Sequence, residues 1–186
     1  MLTLHLLRHL QTDWNRRGVL QGWQDTDVIP PDENVQARIA ENRAILTRKT
    51  PSAVYVSALK RTHQTARHHG FSDVIIDPRL NECHFGPHEK QSRTAAYASL
   101  GDAWIENPLS LTLGEPMTLF QERILAFING LDGPGPVVVF SHGAWIRALI
   151  SIVETGTINT MNQRSLAPNT LTTLQVTLPL KTPSLQ

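Results

Sequence analysis

The sequence predicts an α/β protein: a three-layer α/β/α sandwich around a mostly parallel central sheet. Three observations predict it. Short apolar runs at Leu2 to Leu7, Ala53 to Val56, Val74 to Ile76 and Val137 to Phe140 alternate with longer stretches of helical character. The run Val137-Val138-Val139-Phe140 has no polar alternation, as expected of a central strand covered on both faces. The first and last of these runs end in Arg8-His9 and Ser141-His142-Gly143, polar groups at the sheet edge where ligands of such folds bind. At 186 residues, one domain over 1–186 is expected, with 79–116 as a lid or insertion and 178–186 as a loose tail.

The elements follow in order. Leu2-Thr3-Leu4-His5-Leu6-Leu7 reads as the first strand, delivering Arg8 and His9 into a crevice. Residues 13–25 hold two glycines and two tryptophans, which suits a binding loop as well as a surface loop anchored by its tryptophans. Pro30-Pro31-Asp32-Glu33 opens a helix to about Lys49, with Val35, Ile39, Ile45 and Leu46 as an apolar stripe. A strand at Ala53 to Val56 ends at Ser57, and a polar helix runs from Ala58 to about His69, where Gly70 breaks it. Its His63, His68 and His69 are expected to be solvated. After a third strand at Val74 to Ile76, residues 79–116 show no strong period and contain a short helix near 94–100. Residues 118–131 form a helix with Leu119, Ile124, Phe127 and Ile128 near one face. The turn Asp132-Gly133-Pro134-Gly135-Pro136 precedes the strand at Val137, and a helix from Ala144 to about Val153 follows it. Residues 169–177 alternate as a last strand.

Composition excludes several classes. A net charge of +1 gives no general field for nucleic acid or an anionic membrane, and no apolar run approaches the length of a bilayer span. A single cysteine rules out an internal disulfide or a four-cysteine zinc site. The chain enters a strand at once, so no leader and a cytoplasmic location are expected.

In a parallel sheet, the ends carrying Arg8, His9, Arg61 and His142 lie along one edge, with Gly143 opening a helix. Two guanidiniums, two imidazoles and helix amino termini suit a dianionic phosphate ester. The same residues allow a plainer reading, a buried strand with a solvated polar end. Five motifs then occur in order: Arg8-His9-Leu10-Gln11-Thr12, the stretch 15–22, Ser57-Ala58-Leu59-Lys60-Arg61 leading to Gln64-Thr65-Ala66, Leu80-Asn81-Glu82-Cys83-His84-Phe85-Gly86, and Val139-Phe140-Ser141-His142-Gly143. Together they resemble the histidine phosphatase superfamily, which has the phosphoglycerate mutase fold.

The resemblance implies that His9 is a nucleophile forming a phosphohistidine, with Arg8, Arg61 and His142 holding the phosphoryl oxygens. It implies that Glu82 protonates the leaving oxygen and then activates water, with Asn15, Gln21, Gly22 and Gly143 as substrate contacts. The nucleophile's other ring nitrogen is expected to be tied down, often by a backbone carbonyl. No metal and no cofactor are expected, because phosphoryl transfer depends on positioning and electrostatics. The expected partner is a small phosphorylated substrate, and the expected enzyme is a histidine acid phosphatase-like phosphomonoesterase. Mutase-type transfer is the alternative, disfavoured because residues 82–115 are short for an enclosing insertion. Leu10 stands where the family has glycine, so either the backbone stays in an ordinary region or the loop is altered and the chain is a weak or inactive phosphate binder. The family's Pro-Gly-Gly-Glu-Ser-like stretch survives only as Leu113-Gly114-Glu115-Pro116.

Other chemistries fit poorly. His84 and His88 have a metal-ligand spacing, but Gly86-Pro87 between them argues against a helix. A Cys83 nucleophile would need an arginine six positions on, where Glu89 stands; a G-x-S-x-G elbow is absent, and Gly133-Pro134-Gly135 has no following lysine to make a P-loop.

Overall fold

The computed structural model describes residues 1–133 and 135–181, so Pro134 in the expected turn and residues 182–186 of the expected tail lie outside the described residues. Its elements are β1 (Leu2–Arg8), α1 (Asp13–Arg16), α2 (Glu33–Leu46), β2 (Ala53–Val56), α3 (Lys60–His68), β3 (Ile75–Ile76), α4 (Arg93–Leu100), α5 (Ala103–Glu106), α6 (Met117–Asn129), β4 (Val137–Ser141), α7 (Gly143–Thr155) and β5 (Leu171–Val176). The strands form one sheet in the order β3-β2-β4-β1-β5. Strands β1, β2 and β3 run parallel through β4, and β5 is antiparallel to β1 at the edge.

The two-residue period of a strand sorts these side chains onto two faces. Leu4 and Leu6 of β1 and Val137 and Val139 of β4 enter a large core with Phe120, Ile124 and Phe127 of α6 and Trp145 and Leu149 of α7. Leu7, Val138 and Phe140 face the other way, with Val56, Leu46 of α2 and Ala66 of α3. Every residue of β4 is buried because both faces are covered. Each large apolar side chain so buried stabilises the fold by about 1.5–3 kcal/mol.

Several helices differ from the sequence reading. Pro30 and Pro31 precede α2 rather than entering it; Asp32 is the N-cap, its side chain accepting from Val35 N at 2.9 Å. Ile39 and Leu46 are buried, whereas Ile45 is exposed. Helix α6 starts one residue early, so Met117 and Phe120 take the inward positions and Leu119 faces out. Helix α3 buries a polar stripe, Arg61, Thr62 and Thr65, because it packs against the polar end of the sheet. His69 is fully buried, not solvated: its Nδ1 bonds the carbonyl of Thr65 at 2.8 Å and its ring lies 5.6 Å from that of Phe140. His63 is half-buried against the Ser57 carbonyl, and His68 is exposed as expected. The start of the expected tail is tied down, since Asn129 and Leu180 exchange two hydrogen bonds and Leu178 packs on the large core.

Candidate active site

The register of β1 on β4 builds the site. Arg8 pairs with Ser141, and His9 N donates to Ser141 O at 3.0 Å, so the residues that follow each strand end side by side. The rings of His9 and His142 lie 5.3 Å apart, centroid to centroid, tilted by 59°. The fold therefore brings together two imidazoles over 130 positions apart in sequence, His9 on the cavity wall and His142 packed beside it.

His9 is buried, and its Nδ1 meets the Leu10 carbonyl at 2.6 Å. A carbonyl can only accept, so Nδ1 carries the proton and Nε2 keeps its lone pair. Burial, then the guanidiniums of Arg61 and Arg8, push the His9 pKa well below its ordinary 6.5. Neutral His9 is the stable form at pH 7. Leu10 makes this possible without strain: it is absent from the positive-φ residues, its side chain is buried, and its N–H donates to Thr65 Oγ1 at 2.9 Å. The ordinary-backbone alternative is the one observed.

His142 sits in a directed chain. Arg61 Nε donates to His142 Nδ1 at 3.2 Å, which leaves Nε2 protonated and donating to Ser57 Oγ at 2.8 Å. Ser57 passes its proton towards Thr62 Oγ1 at 3.0 Å, and Thr62 donates to Leu59 O at 2.9 Å. Burial, then Arg61 and His9, hold the His142 pKa well below 6.5.

The two arginines are placed differently. Arg61 is buried and gives Nη1 to Gln24 O and Nη2 to Gly22 O, both at 2.7 Å, so it clamps the loop 22–24 as well as facing the pocket. Arg8 donates through Nη1 to Leu166 O, while its buried Nε has no partner among the described residues. Burial lowers both arginine pKa values to about 10, and both remain charged at pH 7.

Glu82 spans the start of α7. Its Oε1 accepts from Cys83 N at 2.9 Å and Trp145 N at 3.1 Å, and its Oε2 from Ala144 N at 3.1 Å. Arg123 fixes this segment from behind, donating to the carbonyls of Asn81 at 2.6 Å and Glu82 at 2.8 Å while paired to Glu115 at 2.8 Å. Glu115 is thus a support for the Glu82 segment. Gly114, beside it, is needed for close approach: a Cβ there would fall 2.5 Å from Gly86 N.

The cavity is about 330 Å³, and Arg8, His9, Gln21, Gly22, Arg61, Glu82 and Gly143 all line it, whereas His142 stands directly behind. Gln21 accepts from Thr12 Oγ1 at 3.0 Å and from Thr26 Oγ1 through its oxygen. Gly22, at φ +53°, has no room for a Cβ because Glu89 Oε1 would be 2.1 Å away. Asn15 does not line the cavity; its Oδ1 accepts from Thr12 N at 3.1 Å in the capping box of α1. That box is a local alternative which short polar side chains readily satisfy. Trp104 and Phe85 line the cavity, and Trp23 stacks on His84 at 4.6 Å. His84 and His88 are not joined in a metal site: His88 Nδ1 lies 3.3 Å from Ser99 Oγ, and among the described residues no group of three His, Cys, Asp or Glu is placed to hold a metal.

The sequence reading passed over Arg93, Tyr97, Arg147 and Asn162, which also line the cavity. Arg147 was detectable, since it lies four residues after Gly143 on the same helix face. Arg93 and Tyr97 share a face of α4 by the same spacing, but nothing in the sequence says where that helix docks.

Comparison with known proteins identifies the family and the fold. The family model described as histidine phosphatase superfamily (branch 1) matches residues 4–179. A Hydrogenobacter thermophilus protein with the provisional name phosphoserine phosphatase 2 is 28% identical, over 82% of this chain and 79% of its own. A Serratia proteamaculans protein with the provisional name phosphoglycerate mutase is 32% identical, over 82% of this chain and 75% of its own. The solved structure of a mycobacterial glucosyl-3-phosphoglycerate phosphatase in complex with VO3 superposes with a TM-score of 0.78 at 25% identity, covering 94% of this chain and 93% of that one. No helix of the described residues is long and apolar enough to cross a membrane.

Proposed function

The chain belongs to the histidine phosphatase superfamily, and from that premise we propose that it is a metal-independent phosphomonoester hydrolase working through a phosphohistidine on His9. The observation that carries the reading is the bond from His9 Nδ1 to Leu10 O at 2.6 Å in a ring held neutral by burial and two guanidiniums. It fixes the tautomer and gives Nε2 a free lone pair facing a cationic pocket.

In this reading the phosphoryl group sits between Arg8, the uncommitted N–H groups of Arg61, and the Gln21 amide. His9 Nε2 attacks phosphorus, the ester P–O bond breaks, and Glu82 gives its proton to the departing alkoxide. Water then attacks the phosphohistidine, Glu82 takes a proton from it, and inorganic phosphate leaves with His9 restored. His142 acts as a neutral positioning group behind the pocket, accepting from Arg61 Nε and donating to Ser57 Oγ, and so orients the Arg61 guanidinium that faces the phosphoryl group. The guanidiniums offset the phosphoryl charge, so the reading calls for neither metal nor cofactor, and for a small phosphorylated substrate rather than nucleic acid or membrane.

The test is release of inorganic phosphate from a phosphomonoester, with and without chelator. Release abolished in His9→Ala and indifferent to chelator is the expected result. Isomerisation of 3-phosphoglycerate without net release would replace hydrolysis by mutase-type transfer. Vanadate binding with no turnover would leave a phosphate-binding protein.

A further inference from the structure

The proposed reaction needs His9 Nδ1 to stay on the Leu10 carbonyl, and that bond reaches only to the next residue. It holds while the backbone from Arg8 to Leu10 is fixed, and two elements fix it. Helix α3 supplies Thr65, whose Oγ1 accepts from Leu10 N at 2.9 Å. Just before β5 stands Asn169, whose N–H donates to Arg8 O at 3.1 Å and to His9 O at 3.3 Å. Asn169 holds φ +60°, a left-handed conformation that an L residue keeps where its surroundings impose it.

His69, at the end of α3, is a buried titratable group that no step of the reaction uses. Its Nδ1 donates to Thr65 O at 2.8 Å, which leaves Nε2 as an acceptor. Among the described residues that Nε2 has no partner at ordinary hydrogen-bond geometry, and neither has the buried Nδ2 of Asn169. One lacks a donor and the other lacks an acceptor. Asn169 is also the side chain whose hydrogen bonding acts on the His69 ring: burial holds the ring's pKa below 6.5, and the Thr65 carbonyl and then Asn169 oppose it. Asn42 sets the amide for this, since its Nδ2 donates to Asn169 Oδ1 at 3.2 Å and to Asn169 O at 3.0 Å, occupying the oxygen and leaving Nδ2 free. An apolar side chain would fill the same space beside Phe140, whose ring lies 5.6 Å away, with no polar atom to satisfy.

We propose that His69 and Asn169 meet as acceptor and donor and are positioning residues for the nucleophile. Together they link Leu10 N, through Thr65 and the imidazole, to the carbonyls of Arg8 and His9, and so keep Leu10 O on His9 Nδ1. This rests on the hydrolase reading above, which makes His9 the nucleophile. Neither residue lines the cavity, so both act through His9 alone. Loosening the link frees the Leu10 carbonyl to turn away, and a His9 ring with its proton on Nε2 has no lone pair there to attack phosphorus.

Phosphate release from a phosphomonoester is measured for the full chain in three variants. His69→Phe keeps a ring beside Phe140, Asn169→Gly keeps the positive φ at no steric cost, and the third carries both changes. In each single variant the expected kcat is lower by about tenfold or more, at a KM within about twofold of the parent chain. The double variant is expected to be no slower than the slower single, because both changes remove one contact. An unchanged kcat in either folded single variant, or losses that multiply in the double, overturns the proposal. If His69→Phe does not fold, or if the parent chain releases no phosphate and the hydrolase reading fails, the His9 tautomer decides instead, read by long-range proton–nitrogen correlation NMR. A proton fixed on Nδ1 in the parent and shared between both nitrogens in Asn169→Gly then supports the pair; the same tautomer in both overturns it.

Discussion

Replacing Gly22 by alanine probes the contact that ties the binding loop to the segment opposite. Gly22 has φ +53°, where an L side chain costs roughly 1–2 kcal/mol. The new Cβ would also lie 2.1 Å from Glu89 Oε1 and 2.6 Å from its Cδ, so the carboxylate must withdraw. Oε1 accepts from Trp23 N at 3.0 Å and Phe85 N at 3.1 Å, and Oε2 from Gln24 Nε2 at 2.7 Å. Hydrogen bonds to a charged group contribute about 1.5–3 kcal/mol each, so losing the two at Oε1 adds about 3–6 kcal/mol. The expected cost of Gly22→Ala is therefore at least about 4 kcal/mol, a large share of a typical domain's stability. In a Glu89→Ala background the obstacle is gone, and the same substitution should cost only the backbone part, roughly 1–2 kcal/mol. Urea unfolding of the four proteins in this cycle measures the coupling directly. An equal cost of Gly22→Ala in both backgrounds would refute the steric account of this loop.

Stability should fall on mild acidification. His9 and His142 have folded pKa values below 6.5, so below that pH the unfolded chain takes up protons that the folded chain refuses. Their contribution is fully present above pH 6.5 and is lost as pH falls from there towards the folded pKa, with a slope of about 1.4 kcal/mol per pH unit per group. His69 titrates in the same direction, and removing His9 should lessen the slope between pH 6.5 and 5 by one group's share in denaturant titrations. Ser57→Ala strands the buried His142 Nε2 and Leu59 N donors. It should cost about 2–4 kcal/mol, at about 2–4 °C of Tm per kcal/mol, and lower kcat; an unchanged Tm would remove Ser57 from the chain of bonds. Cys83 is fully buried, and burial, then Glu115 and Glu82, push its thiol pKa well up. A disulfide reagent should therefore leave it untouched in the native protein and titrate one thiol after unfolding, whereas rapid native reaction would contradict the packing.

Local pattern was enough to find the strands and the polar groups at their ends. The unbroken apolar run at 137–140 can satisfy its side chains only between two covered faces, and the register of β1 on β4 then brings His9 beside His142. Residues whose role depends on which surface meets which were not readable. Leu119 and Ile45 fit a helical stripe but point outward, because helix rotation is set by packing against the sheet. His69 lies on a polar helix, yet the fold closes over it beside Phe140.

The sequence by itself determined the chemistry available to this chain: two imidazoles, two arginines and a carboxylate at the ends of elements whose order fixes one sheet edge. Only the tertiary structure decided how that chemistry is wired. It gave His9 Nδ1 to Leu10 O, engaged Arg61 with His142 and the loop at 22–24, turned Asn15 to a helix cap, and added Arg93 and Arg147 to the wall. The reason is physical: the strand and helix periods are written in adjacent residues, whereas hydrogen-bond partners and local fields arise from groups that only folding brings within a few ångströms.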